Sequence, residues 1–295
     1  MRLVPSQSPY DAGRLLWFLG LHAVPGLESY RGAAGSAGAT YGRVLRLPGG
    51  PGVVWLSRAR GGGYDAELRL TDPADQTEAL AQLTHLLDLD GDGTVAEAAL
   101  SGDPLLGPIV ATRPGLRPPG SADHVETLLR TIIGQQISLA GARTVTGRVV
   151  AALGVPLPRR LARDGLTHAF PAPDALAGAD PEALPMPRSR GRSVVAVARA
   201  VQLHGESIAS GTPQTAAQLL GLPGVGPWTA AYLALRAGRD PDVFLPTDLA
   251  VRQALEQHRL PGDPVSALAA AAAWAPHRSR ALIHLWFDLL EARAG

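Results

Sequence analysis

Hydrophobic and polar positions change period once along the chain. Over residues 64–71, Tyr64, Ala66, Leu68 and Leu70 alternate with polar neighbours, the two-residue period of a half-buried strand. Gly49-Gly50 and Gly61-Gly62-Gly63 cut the wider region into runs at 40–47, 52–57 and 64–71, which predicts a small antiparallel sheet. Leucines at helical spacing precede it over about 9–23 and follow it over about 74–88, so residues 1–88 read as an N-terminal antiparallel α/β domain. From about residue 121 the period is helical almost throughout, with Gly or Pro punctuating helices expected at 123–133, 138–153, 188–204, 214–220, 228–237, 249–257, 264–274 and 279–292. Between the two textures, an acidic stretch and the run Arg113-Pro114-Gly115-Leu116-Arg117-Pro118-Pro119-Gly120 predict a linker over 89–120. The expected class is α+β, with a helical domain over 121–295.

Composition sharpens this mainly by what it lacks. The 295 residues include no cysteine, and every one of the 27 basic residues is arginine. Disulfides, cysteine-held zinc or iron–sulfur centres, and a lysine nucleophile are thereby excluded. The missing thiols fit a reducing cytoplasm. The longest apolar segments, Leu15 to Val24 and Ala267 to Ala275, are about half the roughly 20 residues of a spanning helix, so neither a membrane span nor a signal peptide is expected. Residues 1–100 carry a net charge of −3, residues 101–295 of +4, and the stretch 111–200 of +6. That last excess suits a phosphate-bearing partner; a solvated arginine surface accounts for it as well.

Asp88-Leu89-Asp90-Gly91-Asp92-Gly93 opens like a calcium-binding loop, but the twelfth position, where a closing acid is needed, is Ala99. It reads as an acidic turn. A stronger motif is Leu222-Pro223-Gly224-Val225-Gly226-Pro227-Trp228-Thr229-Ala230, a tight hairpin between two predicted helices over about 214–237. Gly224 and Gly226 allow positive φ and close backbone approach, and the helix that follows offers unpaired N–H groups and its positive dipole end to a phosphate. Such a hairpin grips a nucleic-acid backbone without reading bases. Downstream, Phe244-Leu245-Pro246-Thr247-Asp248 precedes the next predicted helix, where an acid is either a helix cap or a catalyst. The chain has 14 aromatic residues; Trp228 and Tyr232 lie four apart on one helix face, and Trp286 falls in the last helix. Such faces suit a planar, electron-poor guest.

Taken together, the hairpin and Val243-Phe244-Leu245-Pro246-Thr247-Asp248 resemble the helix-hairpin-helix DNA glycosylases, in particular the bacterial DNA-3-methyladenine glycosylase II family. Pro9-Tyr10-Asp11, Arg113-Pro114-Gly115-Leu116-Arg117, Ile133-Gly134-Gln135-Gln136-Ile137-Ser138, and Arg278-Ser279 with Ile283-His284-Leu285-Trp286 are similar to segments of that family in the same order. The likeness is weak across 25–70. It implies two helical subdomains behind the α/β domain, with a base pocket in the cleft between them. It further implies Asp248 as the catalytic carboxylate and Trp228, Tyr232, Trp286 and Phe18 as pocket walls. Backbone contact to DNA falls to Gly224, Val225, Gly226, Trp228 and Thr229. Gln136 stands where a family member can wedge a side chain into the gap left by an extruded base, and the carbonyls of Leu220, Leu222 and Val225 where one can hold a monovalent cation. No other cofactor is implied. His277 and Arg280 stand where the family can carry aromatic residues, which would alter the cleft rim.

The expected activity is monofunctional excision of alkylated purines from damaged double-stranded DNA, by a monomer needing no protein partner or membrane. A positive charge on the base favours the aromatic faces and makes the base a good leaving group, so one carboxylate suffices. In bifunctional relatives a lysine at the position of Trp228 attacks the sugar, and this chain has none. The alternatives are a glycosylase for oxidised or mismatched bases and a noncatalytic helix-hairpin-helix clamp.

Overall fold

The computed structural model describes every residue except Ser8, Ala34, Ala37 and Gly295. The sheet has five antiparallel strands, β1 (Arg2–Leu3), β2 (Glu28–Arg31), β3 (Thr40–Leu45), β4 (Gly52–Arg58) and β5 (Tyr64–Arg69), in the order β1-β5-β4-β3-β2. The three central strands are those expected from alternation. The two edges were not, because β1 and β2 are too short to show a period. Register is set by pairs such as Trp55 with Glu67 and Gly42 with Trp55. Helix α1 (Ala12–Leu21), capped by Asp11, and α2 (Gln76–Leu87) flank the sheet.

Residues 89–120, expected as a linker, contain two helices, α3 (Thr94–Ser101) and α4 (Leu106–Ala111). Gly107 and Pro108 fall in the first turn of α4, where a proline removes no intrahelical bond. Leu100, Leu106, Ile109 and Val110 are buried in one cluster with residues of the last helix, so the segment is part of the helical body. The acids of the calcium-like loop disperse: Asp90 pairs with Arg239 at 2.7 Å, while Asp92 accepts from the backbone N–H of Thr94 at 2.9 Å. Arg280, expected at the cleft rim, is instead buried beneath this segment and donates to the Leu116 carbonyl.

The remaining body is helical apart from the two-residue strands β6 (Val155–Pro156) and β7 (His168–Ala169). Its helices are α5 (His124–Gly134), α6 (Leu139–Leu153), α7 (Pro173–Ala177), α8 (Arg188–His204), α9 (Pro213–Leu220), α10 (Pro227–Arg236), α11 (Leu249–Gln257), α12 (Pro264–Ala271) and α13 (Arg278–Ala294). Side-chain oxygens of Asp123, Ser138, Asp248 and Asp263 cap α5, α6, α11 and α12, each satisfying backbone donors left open in a first turn. One core cluster joins α5 and α8 to Val44, Val53 and Trp55 of the sheet; a second joins α11 and α13 to Trp17 and Phe18 of α1. Helix α10 borders both, contributing Leu233 to the first and Leu235 to the second.

Four charges, three of them buried and Arg130 half-buried, tie the sheet to α5 in a closed ring. Arg43 donates to Glu28 at 2.9 Å and to Glu126 at 2.6 Å, while Arg130 bonds Glu126 at 2.7 Å and Glu28 at 3.0 Å. Burial raises the cost of each charge, but the ring is net neutral, and Arg130 and Arg43 hold the Glu28 carboxyl down at about 2. Replacing Glu126 by Gln leaves an excess buried cation, so unfolding free energy from urea titration should fall by about 3–5 kcal/mol. Adding Arg43→Met should recover part of that loss, because the two sites share partners.

Candidate active site

Helices α9 and α10 form the expected hairpin, and Pro227 opens α10 at a position where a missing N–H costs nothing. Gly224 has φ +81, and a Cβ there would meet Ser193 Oγ at 2.7 Å, so both conformation and room require glycine. Gly226, expected to share that freedom, is extended at φ −102 and ψ 178 because it caps α10. Open space surrounds its missing side chain. The N–H groups of Gly226, Trp228 and Thr229 have no backbone acceptor among the described residues, as a helix N-terminus requires.

The side chains of Val225 and Thr229 are buried, leaving only their backbone for any outside contact. Thr229 Oγ1 accepts from Gln135 Nε2 at 3.1 Å, and the same amide donates to the Gly224 carbonyl at 2.8 Å. Gln135 thereby ties the turn between α5 and α6 to the hairpin. Sequence reasoning passed over it, and only its place beside Gln136 could have drawn attention. Gln136 is exposed with φ +59, a left-handed conformation uncommon outside glycine, at the outermost point of that turn. The carbonyls of Leu220, Leu222 and Val225 bracket the hairpin, and that of Leu222 also accepts the Val225 N–H at 3.1 Å. Peptide oxygens are the donors that a hard monovalent cation takes. Among the described residues, no group of three or more His, Asp or Glu is placed to hold a metal.

Asp248 is both cap and candidate catalyst. Its Oδ1 accepts from the N–H groups of Ala250 at 3.0 Å and Val251 at 3.1 Å, and from Trp286 Nε1 at 3.2 Å. Oδ2 accepts no hydrogen bond among the described residues, so one oxygen fixes the group and the other is free for chemistry. The loop leading to it is clamped by α13. Arg278 bonds Asp242 through two nitrogens at 2.6 and 2.7 Å, while buried Ser279 accepts from the Val243 N–H at 2.8 Å and donates to the Asp240 carbonyl at 2.6 Å.

The four expected pocket residues form one row. Trp228 stacks on Tyr232 with centroids 5.1 Å apart and planes 9° apart; Tyr232 lies 6.3 Å from Trp286, and Trp286 lies 6.4 Å from Phe18 at 16°. Trp228 and Tyr232 are half-buried, whereas Trp286 is 7% and Phe18 3% exposed. The accessible faces therefore belong to the first pair, with the second pair forming the base of the row. His22, not expected at the site, stacks on Phe18 at 4.2 Å.

Comparison with known proteins places this arrangement. A family model described as the AlkA N-terminal domain matches residues 1–123. Over 292 residues the chain is 35% identical to DNA-3-methyladenine glycosylase 2 of Escherichia coli, covering 95% of each protein. The chain belongs to the AlkA-type DNA-3-methyladenine glycosylase family. It is also 38% identical over 288 residues to a probable bifunctional transcriptional activator/DNA repair enzyme AlkA of Mycobacterium tuberculosis, spanning 97% of this chain and 56% of the length of that relative. Its fold matches that of a solved 3-methyladenine DNA glycosylase from Archaeoglobus fulgidus with a TM-score of 0.79 at 19% identity, over 98% of both chains.

In this AlkA-family chain, α13 carries a buried group that governs acid stability. His284, two residues before Trp286, is 0% exposed, and neither ring nitrogen has a hydrogen-bond partner among the described residues. Burial, reinforced by Arg280, Arg113 and Arg14, pushes its pKa from 6.5 down to about 3. Between those values the unfolded chain binds a proton that the folded chain refuses, so stability drops as pH falls through that window. His284→Leu should remove up to about 1.4 kcal/mol per pH unit of that slope, measured by urea unfolding between pH 6.5 and 4.

Proposed function

We propose that the chain is a monofunctional DNA glycosylase that flips an alkylated, cationic purine out of damaged duplex DNA and hydrolyses its bond to deoxyribose. The observation that carries this reading is the Asp248 carboxylate, anchored through Oδ1 by two backbone N–H groups and Trp286 while Oδ2 stays free. It is bonded to Trp286, the third of the four rings in the aromatic row, and follows the hairpin in the chain. Its E. coli relative is named as a 3-methyladenine glycosylase.

Each step has a group to perform it. The free N–H groups at the start of α10 donate to a phosphate oxygen and hold the duplex without regard to sequence. The extruded nucleotide leaves a gap, which the amide of Gln136 enters from the exposed turn. A cation at the hairpin carbonyls of Leu220, Leu222 and Val225 would add positive charge against the same phosphate. Because the flipped base already bears a charge, it departs with the bonding electron pair and needs no acid. The carboxylate of Asp248 stabilises the oxocarbenium-like sugar and orients the water that adds to C1′. With no lysine in the chain, the abasic strand is left intact. The protein works as a monomer on cytoplasmic DNA.

In single-turnover assays on methylated duplex, Asp248→Asn should lose at least about 100-fold in base release while retaining DNA binding; near-normal excision would overturn the assignment. Gly226→Val tests the grip, since the extended backbone and open surroundings accept a side chain without refolding. Its affinity should fall alike for every duplex sequence, measured by fluorescence anisotropy, and a loss limited to particular sequences would count against a backbone contact.

A further inference from the structure

Arg236 closes the back of the aromatic row, and its surroundings are unusual for a buried cation. It is 9% exposed and has no carboxylate partner within salt-bridge distance among the described residues. Its Nε and Nη2 donate to the Gly120 carbonyl at 3.3 and 2.9 Å, and its Nη1 donates to the Tyr232 hydroxyl. A side chain on Gly120 would overlap the His85 carbonyl, and the Gly120 N–H donates to the Leu86 carbonyl at 2.9 Å. The guanidinium carbon lies 5.4 Å from the Tyr232 ring centre and 5.8 Å from that of Phe18.

Two consequences follow from elementary chemistry. A guanidinium can only donate, so the Tyr232 oxygen must accept, and the phenol hydrogen must find another acceptor. Among the described residues Tyr232 donates to none. The permanent positive charge also lies within cation–π range of two rings of the row, so a second cation meeting that row is repelled.

Resting on the glycosylase reading above, we infer that Arg236 is a specificity-determining positioning residue: it turns Tyr232 into a hydrogen-bond donor toward the guest base and offsets part of the rings' attraction for cations, so that neutral bases with an acceptor edge are admitted beside alkylated ones. A 6-oxopurine such as hypoxanthine offers such an edge; 7-methylguanine, carrying a positive ring, meets the opposing charge. The pocket thus sets aromatic attraction for cations against a fixed cation behind the rings, and Arg236 decides how far the first prevails.

The test compares the affinities of duplexes containing hypoxanthine and 7-methylguanine, each in the Asp248→Asn background so that neither is consumed. Adding Arg236→Met should shift the affinity ratio roughly tenfold toward 7-methylguanine, the size expected for two charges several ångströms apart in a partly buried site. Tyr232→Phe, which leaves the bonds from Arg236 to Gly120 in place, should weaken hypoxanthine binding alone. A purely structural role would lower both affinities in parallel. An unchanged ratio in both variants, or a shift toward hypoxanthine, overturns the inference. Because the ratio is read from binding, it stands apart from the glycosylase reading, which fails separately if the unmodified chain releases no base from either duplex.

Discussion

The ring formed by Glu28, Arg43, Glu126 and Arg130 sets the relation of the sheet to the helical body, and the site inherits that relation. Each carboxylate has two arginine partners and each arginine two carboxylates, so no charge is left uncompensated by desolvation. Tyr41 also donates to Glu28 at 2.6 Å. From the same ring, Arg130 reaches the His22 carbonyl at 2.9 Å, and His22 stacks on Phe18. The end of α1 is thereby placed against Trp286, and the base of the aromatic row is built across the boundary between the α/β domain and the helices. At its other end, α5 leads into the turn carrying Gln135 and Gln136.

Helix α10 concentrates the functions that α5 and α13 support from either side. Its N-terminus presents the free N–H groups, its first two turns carry Trp228 and Tyr232, and its C-terminal Arg236 reaches Gly120. A single rigid element thus fixes the distance between a phosphate grip and an aromatic wall. Asp248 is held independently, because α13 clamps its loop through Arg278 and Ser279 and its carboxylate through Trp286. Rigid placement matters for a reaction in which the charge to be stabilised appears only transiently on the sugar.

Arginine serves throughout as the only strong cation, and its uses divide by environment. In the ring and beside Asp288 and Glu291 it pairs with carboxylates; at Arg117, Arg236 and Arg280 it binds carbonyls in the interior. The second use depends on its fork of donors, which several peptide oxygens can satisfy at once. Arg117 and Arg280 also have Asp88 and Glu97 within 3.8 and 3.5 Å; Arg236 has no such carboxylate among the described residues, and its field falls on the rings.

Local pattern was enough for whatever depends on neighbours in the chain: the central strands, the long helices, the hairpin, the paired faces of Trp228 and Tyr232, and Asp248 at a helix start. Short segments escaped: strands of two and four residues and helices of six and eight are too short to show a clear period, which is why β1, β2, α3 and α4 emerged only with the fold. Partners distant in sequence escaped for a different reason. The bond from Trp286 to Asp248 spans 38 positions and that from Gln135 to Thr229 spans 94, and Arg280 turned inward because the 89–120 segment covers it. Burial and long-range pairing are properties of the packed interior, so they decide which expected residues become cleft, which become core, and what charge stands behind them.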